Sequence, residues 1–316
     1  LVEKIETILK EQCGSPRQIK LPGSPKVSAQ HLRLGYEVYT QRCVQCHGVS
    51  GDGAGPAAEL LRPRPRDFRK GIFKFTSTPQ GFKPRREDII YTLRRGITGT
   101  SMPQFDLLPK SEIEAVTDYV LALTHRGELE AVLTAEADAA QELPDDFLPQ
   151  AIDDVLTPWK EAETQAVQQL SPQPRFTAER IEEGRKAFLS IGCSQCHGED
   201  GRGWSKDNLS TDVWGHPTRA ADLTSGMLHG GSKPIDIYRR IVVGVNGTPM
   251  PSFQQTLDSQ PETIWNLVAF VLHVSNGRRD GSIPDPGPFS STMVEKAERT
   301  RSSASNPDGP AEPAAK

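Results

Sequence analysis

CVQCH, residues 43–47, and CSQCH, residues 193–197, decide how this sequence is read. The chain has 316 residues and five cysteines, and these two stretches hold four of them. Working outward, the same order of features surrounds both. LGYEVYTQRC leads into the first motif and EGRKAFLSIGC into the second, each with helical periodicity. Asp88–Phe105 reads DIIYTLRRGITGTSMPQF, and Asp236–Phe253 reads DIYRRIVVGVNGTPMPSF. Aligned without gaps, they share the opening Asp-Ile, a glycine pair, a Gly-Thr, a Met-Pro and a final Phe. Each is followed by another apolar stripe at spacings of three and four, SEIEAVTDYVLAL and ETIWNLVAFVLHV, which predicts an amphipathic helix. Two copies are too few for a solenoid. The expected architecture is all-α, with two similar domains in tandem.

Cys-x-x-Cys followed by His is the spacing of c-type haem attachment. Two thiols add to the two vinyl groups of the porphyrin, and one helical turn matches their separation. The next residue is carried beneath the iron as its proximal ligand. Cys43 and Cys46 would hold one haem with His47 on its iron. Cys193 and Cys196 would hold a second, with His197 on that iron. A lone C-x-x-C also reads as a redox dithiol or as half of a zinc site. A dithiol needs no following histidine, and a zinc ribbon needs a further ligand pair in each half that the sequence lacks.

The sixth iron position falls to methionine. Met102 and Met250 stand 55 and 53 residues after the motif histidines, each followed by proline. Proline fixes its own φ and pushes the preceding residue into an extended conformation, so the thioether is held in one direction. A thioether favours reduced iron, and two protein ligands leave no position for a substrate. That suits electron transfer more than catalysis.

On these residues each half resembles the class I cytochrome c family, over approximately Gln30–Arg126 and Phe176–Arg279. The resemblance implies a small helical domain wrapped around one covalently bound haem. It places the family's attachment residues on Cys43, Cys46 and His47 and on Cys193, Cys196 and His197, with its distal methionine on Met102 and Met250. CHGVSGDGAGP and CHGEDGRGW are similar to the glycine-rich turn of many bacterial members. PRDF, GIFKF and GTSMPQF look like domains of periplasmic di-haem cytochromes linked to respiratory chains.

The remaining segments frame these two domains. Residues 1–29 form an N-terminal segment in which Leu1–Lys10 can make one amphipathic helix. The domains are expected at 30–127 and 173–280. The linker between them, 128–172, is acidic and helical. Gly127–Ser171 holds 11 Asp or Glu against one basic residue, Lys160. The tail at 281–316 is rich in Pro, Ser, Gly and Ala and is expected to be disordered. A net charge of −4 gives no argument for nucleic acid or an anionic membrane, and no apolar run of 18 residues occurs. The start at Leu1 fits removal of an export segment or anchor.

From Arg62 to Arg95 basic residues outnumber acidic ones 11 to 3. Guanidinium pairs bidentately with carboxylate, so Arg66, in PRDF, and Arg219, in the comparable PTRAADL stretch, are the candidates for haem propionates. A solvated surface, a steering surface for an acidic partner, and a face turned to the chain's own acidic linker are the alternatives. His229 is a candidate replacement ligand. Trp204, Trp214 and Trp265 read as haem-pocket or core packing, Phe105 and Phe253 as packing beside the ligand loops, and Cys13 as an unpaired buried thiol.

The expected function is that of a periplasmic electron carrier with two haem c groups. It would pass electrons from an upstream dehydrogenase or quinol-oxidising complex to an oxidase, a reductase or another cytochrome. Covalent haem attachment is exported-compartment chemistry, which gives the location. The rivals are a di-haem enzyme of the peroxidase or thiosulfate-oxidising type, and a subunit of a larger membrane complex.

Overall fold

The computed structural model describes residues 1–23, 26–203, 205 and 209–280. The tail with Met293, and Trp204, lie outside the described residues. The chain is mostly helical. The described sheet consists of two small antiparallel hairpins, β1 (Gly14–Ser15) with β2 (Gln18–Ile19) and β3 (Leu209–Thr211) with β4 (Pro217–Arg219).

Two helix pairs organise the two repeated halves. In the first, α2 (Ala29–Arg42) crosses α5 (Lys110–Ala140); in the second, α7 (Ala178–Ser190) crosses α11 (Pro261–Asp280). The first helix of each pair is capped alike. Ser28 Oγ accepts from the His31 amide at 3.2 Å, and Thr177 Oγ1 accepts from Arg180 at 3.3 Å. Each crossing is made at a glycine. A Cβ on Gly35 would overlap the Ala115 carbonyl, and one on Gly184 would overlap that of Asn266. The apolar stripes read from the sequence face inward there. Tyr39, Ile113, Val116 and Tyr119 build one core, and Phe188, Tyr238, Ile264, Trp265 and Val268 the other.

α5 is 31 residues long and continues unbroken through Gly127. Glycine costs a helix interior about 1 kcal/mol relative to alanine. It is retained because a Cβ would press on Arg69, with the Arg69 Cα at only 2.6 Å. The second half of α5 runs on past the first half's core and builds a third core. α1 (Val2–Cys13) and α6 (Leu148–Ala162) pack on it through Ile5, Leu9, Leu133, Val155 and Leu156. Cys13 is buried in this core, and burial pushes its thiol up to about 11.

His125 lies on the face of α5 beneath α6, its ring 5.0 Å from that of Trp159. Burial, reinforced by Lys83, pushes its pKa down to about 4. The folded chain then excludes a proton that the unfolded chain binds below about pH 6.5. His125 thus carries no protonation penalty above that pH, and stability falls as the pH drops from about 6.5 toward 4, by a total of about 3 kcal/mol. Urea midpoints measured against pH should show this slope, and His125→Gln should flatten it.

Candidate functional site

Both Cys-x-x-Cys-His motifs occupy one tight helical turn directly after the domain's first helix. These are α3 (Val44–His47), with Cys43 as its N-cap, and α8 (Cys193–His197). A glycine at positive φ ends each, Gly48 at φ 76° and Gly198 at φ 74°. The chain then loops back under the histidine in the same way twice. Gly53 N–H donates to the His47 carbonyl at 2.9 Å, and Gly203 N–H to that of His197 at 2.6 Å. Phe68 N–H donates to Gly51 at 2.7 Å, and Leu223 N–H to Gly201 at 2.8 Å. An aspartate, Asp67 or Asp222, caps the single 3-10 turn that follows.

This return places a backbone carbonyl against each histidine. His47 Nδ1 lies 3.1 Å from the Arg66 oxygen, and His197 Nδ1 lies 3.0 Å from that of Ala221. A carbonyl only accepts, so Nδ1 carries the proton and Nε2 keeps its lone pair for a metal. Burial pushes both imidazoles toward the neutral form; the charge on Arg66 adds to this at His47. Burial also pushes the Cys43 thiol up to about 12 and the Cys193 thiol up to about 11. Phe68 stacks on His47 with ring centroids 4.5 Å apart.

The methionine loops match bond for bond. After α4 (Arg86–Arg95), Ile97 N–H donates to the Met102 carbonyl at 3.0 Å, Thr100 N–H to Ile97 at 3.1 Å, and Met102 N–H to Thr100 Oγ1 at 3.1 Å. After α9 (Pro234–Val243), the same three bonds join Val245, Thr248 and Met250 at 3.2, 3.1 and 3.3 Å. Phe105 N–H is tied back to Leu93, and Phe253 N–H to Ile241. The loop closes on Gly96 and Gly244, both at positive φ, where a Cβ would lie 2.6–2.7 Å from the Met-Pro backbone.

Cys43, Cys46, His47 and Met102 line one cavity of about 1270 Å³, open mouth included. Phe68, Phe73, Ile89, Leu93 and Phe105 make it apolar, and Arg64, Arg66 and Lys74 add positive charge. An apolar slot with two thiols, one nitrogen donor, one thioether and cations for carboxylates fits a haem. In the second domain Cys193, His197 and Met250 are half-buried and Cys196 is exposed.

Arg66 and Arg219 do not occupy equivalent places. Arg66 reaches the cavity, whereas Arg219 is exposed on β4. The histidine-to-carbonyl bonds show that Ala221 is the position matching Arg66. His229, from the second domain, also lines the first cavity. Sequence reasoning missed Lys74, although GIFKF was noted. Part of the basic stretch faces the chain's own acidic segment. Lys83 pairs with Glu128, which also accepts from Trp159 Nε1 at 2.7 Å, and the Arg86 amide donates to Glu163 at 2.9 Å.

The cytochrome c family model matches residues 32–124 and again 181–275, more than half of the chain. The chain belongs to the cytochrome c family. Two such domains imply two haem c groups, and the chain is a di-haem c-type cytochrome. Among solved structures it is similar to a chain of the "Kuenenia stuttgartiensis reducing HAO-like protein complex Kustc0457/Kustc0458". The identity is 29% and the TM-score 0.60, over 76% of this cytochrome and 95% of that chain. No curated protein matches it. No described helix of this cytochrome is long and apolar enough to cross a membrane.

Proposed function

We propose that this cytochrome is a one-electron carrier of the periplasm, with domains at 30–127 and 173–280 that each hold one haem between histidine and methionine. Cys43 and Cys46, and Cys193 and Cys196, form the thioethers. His47 with Met102, and His197 with Met250, take the two axial positions. Arg66 pairs with a propionate of the first haem. Haem, when bound, supplies a one-electron couple at its iron.

The observation that carries this reading is the matched hydrogen bonding of the two methionine loops. A methionine kept only to fill space needs no such anchoring, and the same anchoring occurs in both domains. Neutral imidazole and thioether together favour the reduced metal and shield it from external ligands. The chain's own work is to hold the ligands still while the charge changes.

The upstream donor would be a dehydrogenase or quinol-oxidising complex, and the acceptor an oxidase, reductase or cytochrome. The likeness to a chain of an HAO-like protein complex favours a second form of the same reading, in which the cytochrome is a resident subunit of such an assembly.

Haem stoichiometry and ligand spectroscopy test the proposal together. The expected result is two covalent haems per chain, both six-coordinate with sulfur on iron and both slow to bind carbon monoxide. Rapid carbon monoxide binding at one haem in the resting protein would transfer the reading to the di-haem enzyme class. Co-purification as one stoichiometric particle would distinguish the subunit from the free carrier.

A further inference from the structure

The turn between β3 and β4 of the second domain is seated on the basic loop of the first. The Arg66 guanidinium lies over the Trp214 ring, its Cζ 3.4 Å from the ring centroid. Lys74 Nζ lies 3.5 Å from Asp212 Oδ2 and 5.9 Å from the same ring. Lys70 Nζ donates to the Val213 carbonyl at 3.1 Å. Arg66 and Lys74 line the first haem cavity; Asp212 and Trp214 stand behind them.

The turn is fixed from its other side by the second methionine loop. Val213 N–H donates to the Gly247 carbonyl at 3.0 Å, and a Cβ on Gly247 would meet the indole at 2.5 Å. Asp212 is nearly buried, its side chain 6% exposed, and its Oδ1 also accepts from the amides of Trp214 and His216 at 3.1 and 3.0 Å. Neither the carboxylate nor the ring is free to leave. Two cations in the first cavity are thus held by two side chains whose positions belong to the second domain.

We propose that Asp212 and Trp214 set part of the first haem's potential across the domain interface: Trp214 is a positioning residue that holds Arg66 at the propionates, and Asp212 partly offsets the charge of Lys74 and Arg66 there. The proposal rests on the reading of Arg66 as a propionate partner and extends it. A cation near the haem opposes the gain of positive charge on oxidation and raises the potential; a carboxylate nearby lowers it. In a half-buried setting such charges act more strongly than in water. The two supports therefore have effects of opposite sign. Without the Asp212 charge, the cations are less compensated. Without the Trp214 face, Arg66 turns to solvent and its charge is screened.

The test is potentiometry of both haems in the full-length holoprotein. Asp212→Asn should raise the first-haem potential and Trp214→Leu should lower it, while Trp214→Phe, which keeps an aromatic face, should stay close to wild type. General loosening of the interface would move Asp212→Asn and Trp214→Leu in the same direction, and that result overturns the proposal, as does no shift in either. If Trp214→Leu loses haem, Asp212→Asn and Trp214→Phe still decide: an upward shift in the first with none in the second supports it, and any other pair refutes it. Arg66→Gln separates the underlying reading. A lowered first potential there, with Asp212→Asn and Trp214→Leu silent, keeps the propionate partner and removes its support from the second domain. No change in Arg66→Gln removes the propionate reading itself.

Discussion

Replacing Met102 with histidine should lower the potential of the first haem by on the order of 0.2 V, within the roughly 0.8 V that axial ligation spans. Thioether sulfur favours reduced iron more than imidazole does, so the sign is fixed by the donor atom. The loop should survive the change. Its bonds run through the Met102 amide and carbonyl, to Thr100 and Ile97, and not through the side chain. Gly96 keeps its positive φ and Pro103 its restraint whatever residue stands between them. Potentiometry with near-infrared spectroscopy of the ligand set checks the result. The second haem should keep both its potential and its sulfur signature. An unchanged first-haem potential would show that Met102 is not on the iron.

Gly184→Val should cost the second domain at least about 3 kcal/mol, because overpacking without room to shift is among the larger single-residue penalties. The new side chain would run into the Asn266 carbonyl, and its Cβ would stand 2.9 Å from the Phe270 Cβ. Neither neighbour is the loose end of a flexible side chain. α7 and α11 would have to separate, and the α7 terminus carries Cys193 and His197 into place. Domain stabilities are typically 5–15 kcal/mol, so a loss of this size is a large share of the total. Calorimetry should show the second domain unfolding earlier and the first unchanged. Gly35→Val should produce the mirror result, by collision with the Ala115 carbonyl. Lys186→Ala, on the exposed face of α7, is the control and should leave the transition in place.

Much of the site was legible because its logic is local. The thiols and histidine of each motif lie within one helical turn, and the methionines share one loop frame. The helical stripes in SEIEAVTDYVLAL and ETIWNLVAFVLHV became α5 and α11 because the burial that selects them is periodic. The extent of α5 was less legible. Gly127 stands at the expected end of the first domain, and only the approach of Arg69 explains why a glycine lies inside the helix that runs through it. Arg219 shows how far a short local match reaches. Matching short stretches set it beside Arg66, whereas the histidine-to-carbonyl bonds put Ala221 at the position of Arg66.

The sequence by itself determined the chemistry: two pairs of thiols, two histidines and two prolines behind methionine, with helices to carry them. Spacing along a covalent chain and apolar periodicity are properties of neighbouring residues, so they can be read without coordinates. Only the tertiary structure decided what surrounds that chemistry. Arg66 meets Trp214 and Lys74 meets Asp212 across well over a hundred residues of chain. The tertiary fold also brings α1 and α6 together in a third core on α5. Such contacts depend on how whole domains pack, and no local pattern encodes which distant side chain will be there.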